Sequence, residues 1–290
     1  MPSLQQHDMA LRALKLTEVV PKLHRSGILE LQLNTPQNLN AFGGLKCEFL
    51  IKRGRGRAME LIKGFDYARE QSDIKAVMVT SSGRFFSAGA ALSPGGMGGE
   101  GRAKGKGPSE LYVNMLIDFP KLAVCVLNGP AYGITVTTLP LFDLVYAAPE
   151  VTITTPFSRL GICLEGASSV LFQPLFGNSL ASRLLYMAET IPLKDLLPTG
   201  MIADVLPKDS INEAVEKKLA AQLDDLAVNS IITSKSLVRS EEYRAHLRTV
   251  NEKEMATVAE RIASQDHRDQ IAKFQAKRAA EKAKKDAAKL

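Results

Sequence analysis

The residue best suited to chemistry in this 290-residue chain is Glu165, a carboxylate set among apolar and small neighbours in ICLEGASS, residues 162–169. No basic residue adjoins it. Such a carboxylate is either exposed on a turn or partly desolvated, with its proton affinity raised. The second setting suits a general base. Two turns rich in small residues could supply a complementary group. They are residues 83–92 (GRFFSAGAAL) and 128–135 (NGPAYGIT), each following an apolar run. Small side chains let a ligand approach the backbone, so that peptide N–H groups face it. Two such turns at neighbouring strand ends could aim their donors at one oxygen, as in an oxyanion hole. The other reading is that both are ordinary tight turns.

Other constellations are weaker. Residues 96–101 (GMGGEG) satisfy GxGxxG, but they lie in a polar, glycine-rich stretch without the preceding strand that a dinucleotide site needs. There is no Walker lysine motif and no GxSxG elbow. Cys47, Cys125 and Cys163 are far apart, and no CxxC pair predicts a disulfide framework or zinc knuckle. His7, His24, His246 and His267 show no ligand spacing and read as surface or tail groups, so no metal is expected. The run KRGRGR, Lys52 to Arg57, reads as a solvated loop that interrupts a helix. Without tryptophan or a stacking platform beside it, nucleic-acid binding is not expected.

The elements that must position Glu165 and the turns can be read from periodicity. Residues 27–33 (GILELQL) alternate like a half-buried strand. Residues 75–80 (KAVMVT) and 122–127 (LAVCVL) are continuous apolar runs, as in strands covered on both faces. Shorter β-type runs follow at 142–147 and 151–154. Helix-like stretches at 109–118 and 179–189 lie between the β-type runs, which predicts an α/β architecture. After Pro207 the chain turns helical, opening on a capping-box pattern at Ser210 and Glu213. The predicted organisation is a core over 1–207, a helical region over 208–267 and a basic tail over 268–290.

Taken in order, GRFFSAGA, NGPAYGI and LGICLEGASS resemble the crotonase (enoyl-CoA hydratase/isomerase) superfamily, and its peroxisomal delta-3,delta-2-enoyl-CoA isomerase branch in particular. LNTPQNLNAF (33–42), FDLVYA (142–147) and TPFSRLGI (155–162) add to the match. The resemblance implies a spiral of ββα units with a C-terminal helical region used for trimer or hexamer assembly. It implies an acyl-CoA substrate, with coenzyme A as part of that substrate and no separate cofactor. Carried over by position, the N–H groups of Ala90 and Ile134 form the oxyanion hole. Glu165 is the catalytic acid/base, and Ser87, Ala88, Gly89, Gly133 and Leu164 bind substrate. The two hydratase glutamates fall at Thr137 and Phe157, which disfavours water addition. Ala91 departs from the family's aspartate, and 52–57 exceeds the family norm. The alternatives are another acyl-CoA reaction on this scaffold, such as a hydratase or thioesterase, and a weak homologue that acts as a binding protein.

A charge of +6 suggests a polyanionic partner, but residues 268–290 hold eight Lys/Arg against three acids, leaving the rest at +1. The basicity belongs to the tail. That tail ends Ala288-Lys289-Leu290, which resembles the SKL-type peroxisomal address and implies an import receptor as partner. MPSLQQHD does not read as a signal peptide, and the apolar stretch 122–148 is broken by Asn128, Pro130, Pro140 and Asp143. A soluble protein of the peroxisomal matrix is therefore expected.

Overall fold

The computed structural model describes residues 2–42, 56–91 and 106–287. The segment 52–55, most of the glycine-rich stretch and the terminal 288–290 lie outside the described residues. Helix α1 (Leu4–Ala13) begins with a capping box. Gln6 N–H donates to Ser3 Oγ at 3.3 Å, and Ser3 N–H to Gln6 Oε1 at 2.7 Å. Strand β1 (Val19–Leu23) pairs antiparallel with β2 (Ile28–Leu33). Helix α2 (Arg57–Glu70) leads to β3 (Ala76–Ser81), and α3 (Pro108–Asp118) to β4 (Leu122–Leu127). Short elements follow: β5 (Ala131–Tyr132), α4 (Ile134–Thr137), β6 (Leu144–Ala147) and β7 (Thr152–Thr154). Then come α5 (Ser168–Leu185), β8 (Thr190–Pro192), α6 (Leu193–Leu196) and β9 (Asp204–Val205). The chain continues through α7 (Ile211–Asp225), α8 (Val228–Val238), α9 (Glu241–Ile262) and α10 (Gln265–Ala287).

The strands form a six-stranded sheet in the order β1-β2-β3-β4-β6-β9 and a three-stranded sheet in the order β5-β7-β8. Every pairing in the larger sheet after β1–β2 is parallel. This is the expected α/β class, with helices alone after β9. The apolar runs explain the centre, since all six residues of β3 are buried. A parallel sheet is covered on both faces, and such strands tolerate little polarity.

Several expectations need correction. The Leu/Glu/Leu/Gln alternation of β2 does not mark a half-wet face, because Glu30 is buried too. It accepts from Thr80 Oγ1 at 2.8 Å and lies 2.9 Å from His24 Nε2. The histidines are mostly interior. His7 bridges Tyr67 Oη at 2.6 Å and Asp73 Oδ2 at 2.8 Å, His267 is buried, and only His246 of the four is exposed. His7 and His267 bond to residues from distant parts of the chain, Tyr67 and Asp73 for one and Leu160 for the other, which spacing does not show. Ser210 stands at the N-cap of α7 as expected, but its side chain makes no capping bond. The helix expected at 179–189 is the second half of α5, kinked at Gly177. The solvated reading of KRGRGR fails at Arg57. It is 1% exposed, donates to Ala41 O and Thr35 Oγ1, and lies 3.6 Å from Glu18. Helix α10 runs across the boundary expected at 267/268, with Ile271 buried beyond it.

Candidate active site

Two adjacent parallel strands, β3 and β4, deliver their C-terminal turns to one place, as open α/β sheets do at ligand sites. Asn128, just past β4, ties the turns at their base. Its Nδ2 donates to Gly83 O at 2.8 Å, and its Oδ1 accepts from Ser81 Oγ at 2.5 Å. Above this, Phe86 N–H donates to Pro130 O and Tyr132 N–H to Ser87 O, both at 3.0 Å, around a parallel bridge between Ser87 and Ala131. The turns are thus zipped together rather than merely close.

The zipper brings two glycines into contact. Gly89 has φ +72°, and a Cβ there would lie 2.7 Å from Tyr132 O. Gly133 has φ +58°, and its Cβ would lie 3.9 Å from Gly89 Cα. Ala90 and Ile134 follow these glycines directly. Phe42 N–H donates to Gly89 O, and Ala91 N–H to Phe42 O, each at 2.8 Å. Ala90 N–H belongs to the trans peptide whose carbonyl faces Phe42, so it points the opposite way. Ile134 opens α4, where the first N–H groups have no partner inside the helix. Among the described residues, neither N–H finds an acceptor. Two donors with no acceptor among the described residues, on touching turns, are the raw material of an oxyanion hole.

Glu165 lies in the loop before α5 and is 9% exposed. It is therefore buried rather than exposed on a turn. Its neighbour Gly166, at φ +76°, sits so close to α4 that a Cβ would meet Thr137 Oγ1 at 2.6 Å. Since α4 begins with Ile134, this contact joins the carboxylate's loop to the helix whose first N–H is that of Ile134. Thr137 is fully buried, with its hydroxyl donating to Ile134 O at 3.2 Å. Phe157 is buried as well. Neither position holds an ionisable group.

The remaining expected site residues divide. Ala88 donates its N–H to Leu39 O at 2.9 Å, and Leu164 is half-buried beside Glu165, packed on the core. Ser87, expected to bind substrate, is fully buried and turned inward. Its Oγ donates to Asn40 O at 2.7 Å and accepts from Gly89 N–H at 3.1 Å, so it shapes the turn. Ala91 lacks the family's carboxylate, and its backbone bond to Phe42 braces the loop there. Asn40 and Phe42 were missed as positioning residues. Both stand in the quoted LNTPQNLNAF, where no spacing rule ties them to residues 82–91. Asn40 Nδ2 donates to Ser82 O at 2.8 Å and Phe85 O at 3.1 Å. Glu254 was also missed. Burial pushes its carboxyl up, opposed by the N–H groups of Ser169 and Ala167. Cys163 is half-buried, and burial pushes its thiol up, away from the thiolate. Among the described residues, no group of three or more His, Cys, Asp or Glu side chains is arranged to hold a metal, and no helix is long and apolar enough to cross a membrane.

The chain is similar in sequence and fold to known proteins. A family profile described as enoyl-CoA hydratase/isomerase matches residues 24–284. Enoyl-CoA delta isomerase 2 of Rattus norvegicus is 35% identical over 206 residues, covering 70% of this chain and 52% of that protein. Enoyl-CoA delta isomerase 3, peroxisomal, of Mus musculus is 34% identical over 163 residues, covering 56% of this chain and 51% of that protein. The chain thus spans about half the length of these relatives. The crystal structure of an enoyl-CoA hydratase/isomerase from Pseudoalteromonas atlantica superposes with a TM-score of 0.77 at 25% identity, covering 90% of this chain and 98% of that one.

Proposed function

The chain belongs to the enoyl-CoA hydratase/isomerase family, and from that premise we propose that it isomerises 3-enoyl-CoA, cis or trans, to trans-2-enoyl-CoA in fatty-acid β-oxidation. The thioester oxygen sits between the N–H groups of Ala90 and Ile134. Glu165 takes a proton from C2, and the electron pair moves onto the thioester oxygen, giving a dienolate. The protonated Glu165 then delivers its proton to C4 as the carbonyl re-forms and the double bond settles between C2 and C3. One carboxyl serves both carbons, which lie on one side of a bent chain. Atoms and electrons balance without a redox partner or metal, so none is part of the proposal.

The observation that carries this reading is the buried Glu165, whose loop is joined through Gly166 and Thr137 to the helix that begins at Ile134. Thr137 and Phe157, where the resemblance places the hydratase glutamates, carry no carboxylate to activate water. The test compares wild type and Glu165→Gln on 3-enoyl-CoA, following 2-enoyl-CoA. The variant should lose roughly 10²–10⁴-fold in kcat, the usual worth of a general base. An inactive wild type, or a fully active variant, overturns the mechanism.

The same reading places the protein in the peroxisomal matrix as a homotrimer or hexamer. It is supported by the Ala288-Lys289-Leu290 sequence and by the mouse relative's peroxisomal name. Exposed Leu237 and Val238, 77% and 79% accessible, are suited to an assembly contact. Sedimentation equilibrium separates these assemblies from a monomer.

A further inference from the structure

The segment that carries Glu165 is gripped at both ends by the C-terminal helices. Upstream, His267 in the first turn of α10 places Nδ1 2.6 Å from Leu160 O. A carbonyl only accepts, so Nδ1 carries the proton. The adjoining Gly161 is pressed against the same turn. A Cβ there would lie 2.7 Å from His267 Cα and 2.8 Å from Asp266 O. Downstream, Glu254 of α9 turns its carboxylate onto the start of α5. Oε2 accepts from Ala167 N–H at 2.7 Å, and Oε1 from Ser169 N–H at 2.9 Å. Glu254 and His267 are 6% and 3% exposed, so neither grip is a surface accident.

The backbone between the grips is unusual. Gly161, Gly166 and Ala167 all take positive φ, at 67°, 76° and 60°. Ala167 has a Cβ and resists that conformation, so something must hold it. Its own N–H bond to Glu254 does so, two residues from Glu165. Glutamate is chemically specific here. Two converging N–H donors need two acceptors, and a glutamine would turn its amide group against one of them.

We propose that Glu254 and His267 are positioning residues for Glu165, so that the C-terminal helices set where the reacting carboxylate stands. The proposal rests on the reading of Glu165 as acid/base. A displacement of about 1 Å at such a group costs on the order of 10²-fold in rate.

The test uses the full chain and four variants, Glu254→Gln, Glu254→Asp, His267→Ala and Glu165→Gln. Each is assayed on 3-enoyl-CoA, with hydrogen exchange of the 160–169 segment and thermal melting measured in parallel. Glu254→Gln should lower kcat about 10- to 100-fold with KM nearly unchanged, and speed exchange in 160–169 alone. Glu254→Asp keeps both oxygens and should recover most of the rate. His267→Ala should act in the same direction through the other grip. Wild-type kcat in Glu254→Gln, while Glu165→Gln is inactive, overturns the positioning role alone. So does a loss in Glu254→Gln that tracks melting and is not recovered by aspartate. Full activity in Glu165→Gln overturns the acid/base reading, and the positioning role with it.

Discussion

At the scale of the residue, the site depends more on backbone groups than on side chains. The proposed oxyanion donors are peptide N–H groups, so replacing Ala90 or Ile134 does not remove them. Their position is set by Gly89, whose positive φ and lack of a Cβ let the turn lie against Tyr132 O. Gly89→Ala therefore places a methyl 2.7 Å from that oxygen in a conformation alanine resists. Losing one oxyanion donor costs about 10²–10³-fold in kcat. We expect a kcat loss of that order in Gly89→Ala, with near-normal affinity for the product enoyl-CoA by calorimetry. Unchanged kcat would show that the turn does not hold the thioester oxygen.

At the scale of the element, two buried charges hold separate elements together. Arg57 starts α2 and reaches Ala41 O and Thr35 Oγ1, next to the Phe42 that frames Ala90. Arg57→Met leaves that carbonyl without its donor. An unsatisfied buried group costs about 1–3 kcal/mol, so denaturant melts should show a loss of that order, and the rate should fall with it. The same burial removes Arg57 from any nucleic-acid contact. Glu30 ties β2 to β3 and to His24. Burial raises its pKa, but the hydrogen bonds of His24 and Thr80, with attraction from His24 and Lys22, more than offset this and hold it below 4.5. A depressed folded pKa gives stability that is present above the unfolded value and lost as pH falls through the folded one. Glu30→Gln should thus melt below wild type at pH 7, and the gap should close as pH drops under the usual carboxylate range. A gap that stays constant with pH would disprove the linkage. The long apolar runs of β3 and β4 were legible because a covered parallel strand needs little else. The two-residue β5 and β9 were not, since they exist through pairings rather than any pattern of their own.

At the scale of the whole molecule, the charge and the chemistry belong to different parts. The near-neutral body carries the carboxylate and both turns, while residues 268–290 carry +5. The start of that basic stretch is not a free tail, since α10 begins at Gln265 and packs Ile271 into the fold. Deleting Leu290 should release a fluorescently tagged protein from peroxisomes to cytosol without changing the isomerase rate. Retention in the organelle would count against the address.

Short-range order in the sequence determined the α/β class, the central strands, the helical end and the identity of Glu165 and the two small-residue turns. Each depends on residue type within a few positions. Tertiary structure alone decided that Glu165 is buried, that Gly89 meets Gly133, and that Ser87 faces inward. It also decided that Arg57, His7 and His267 are interior. These outcomes depend on contacts between residues tens to more than a hundred positions apart, such as Leu160 with His267 and Ala167 with Glu254. A polar side chain is buried when a distant partner can replace its water, and the local sequence carries no record of that partner.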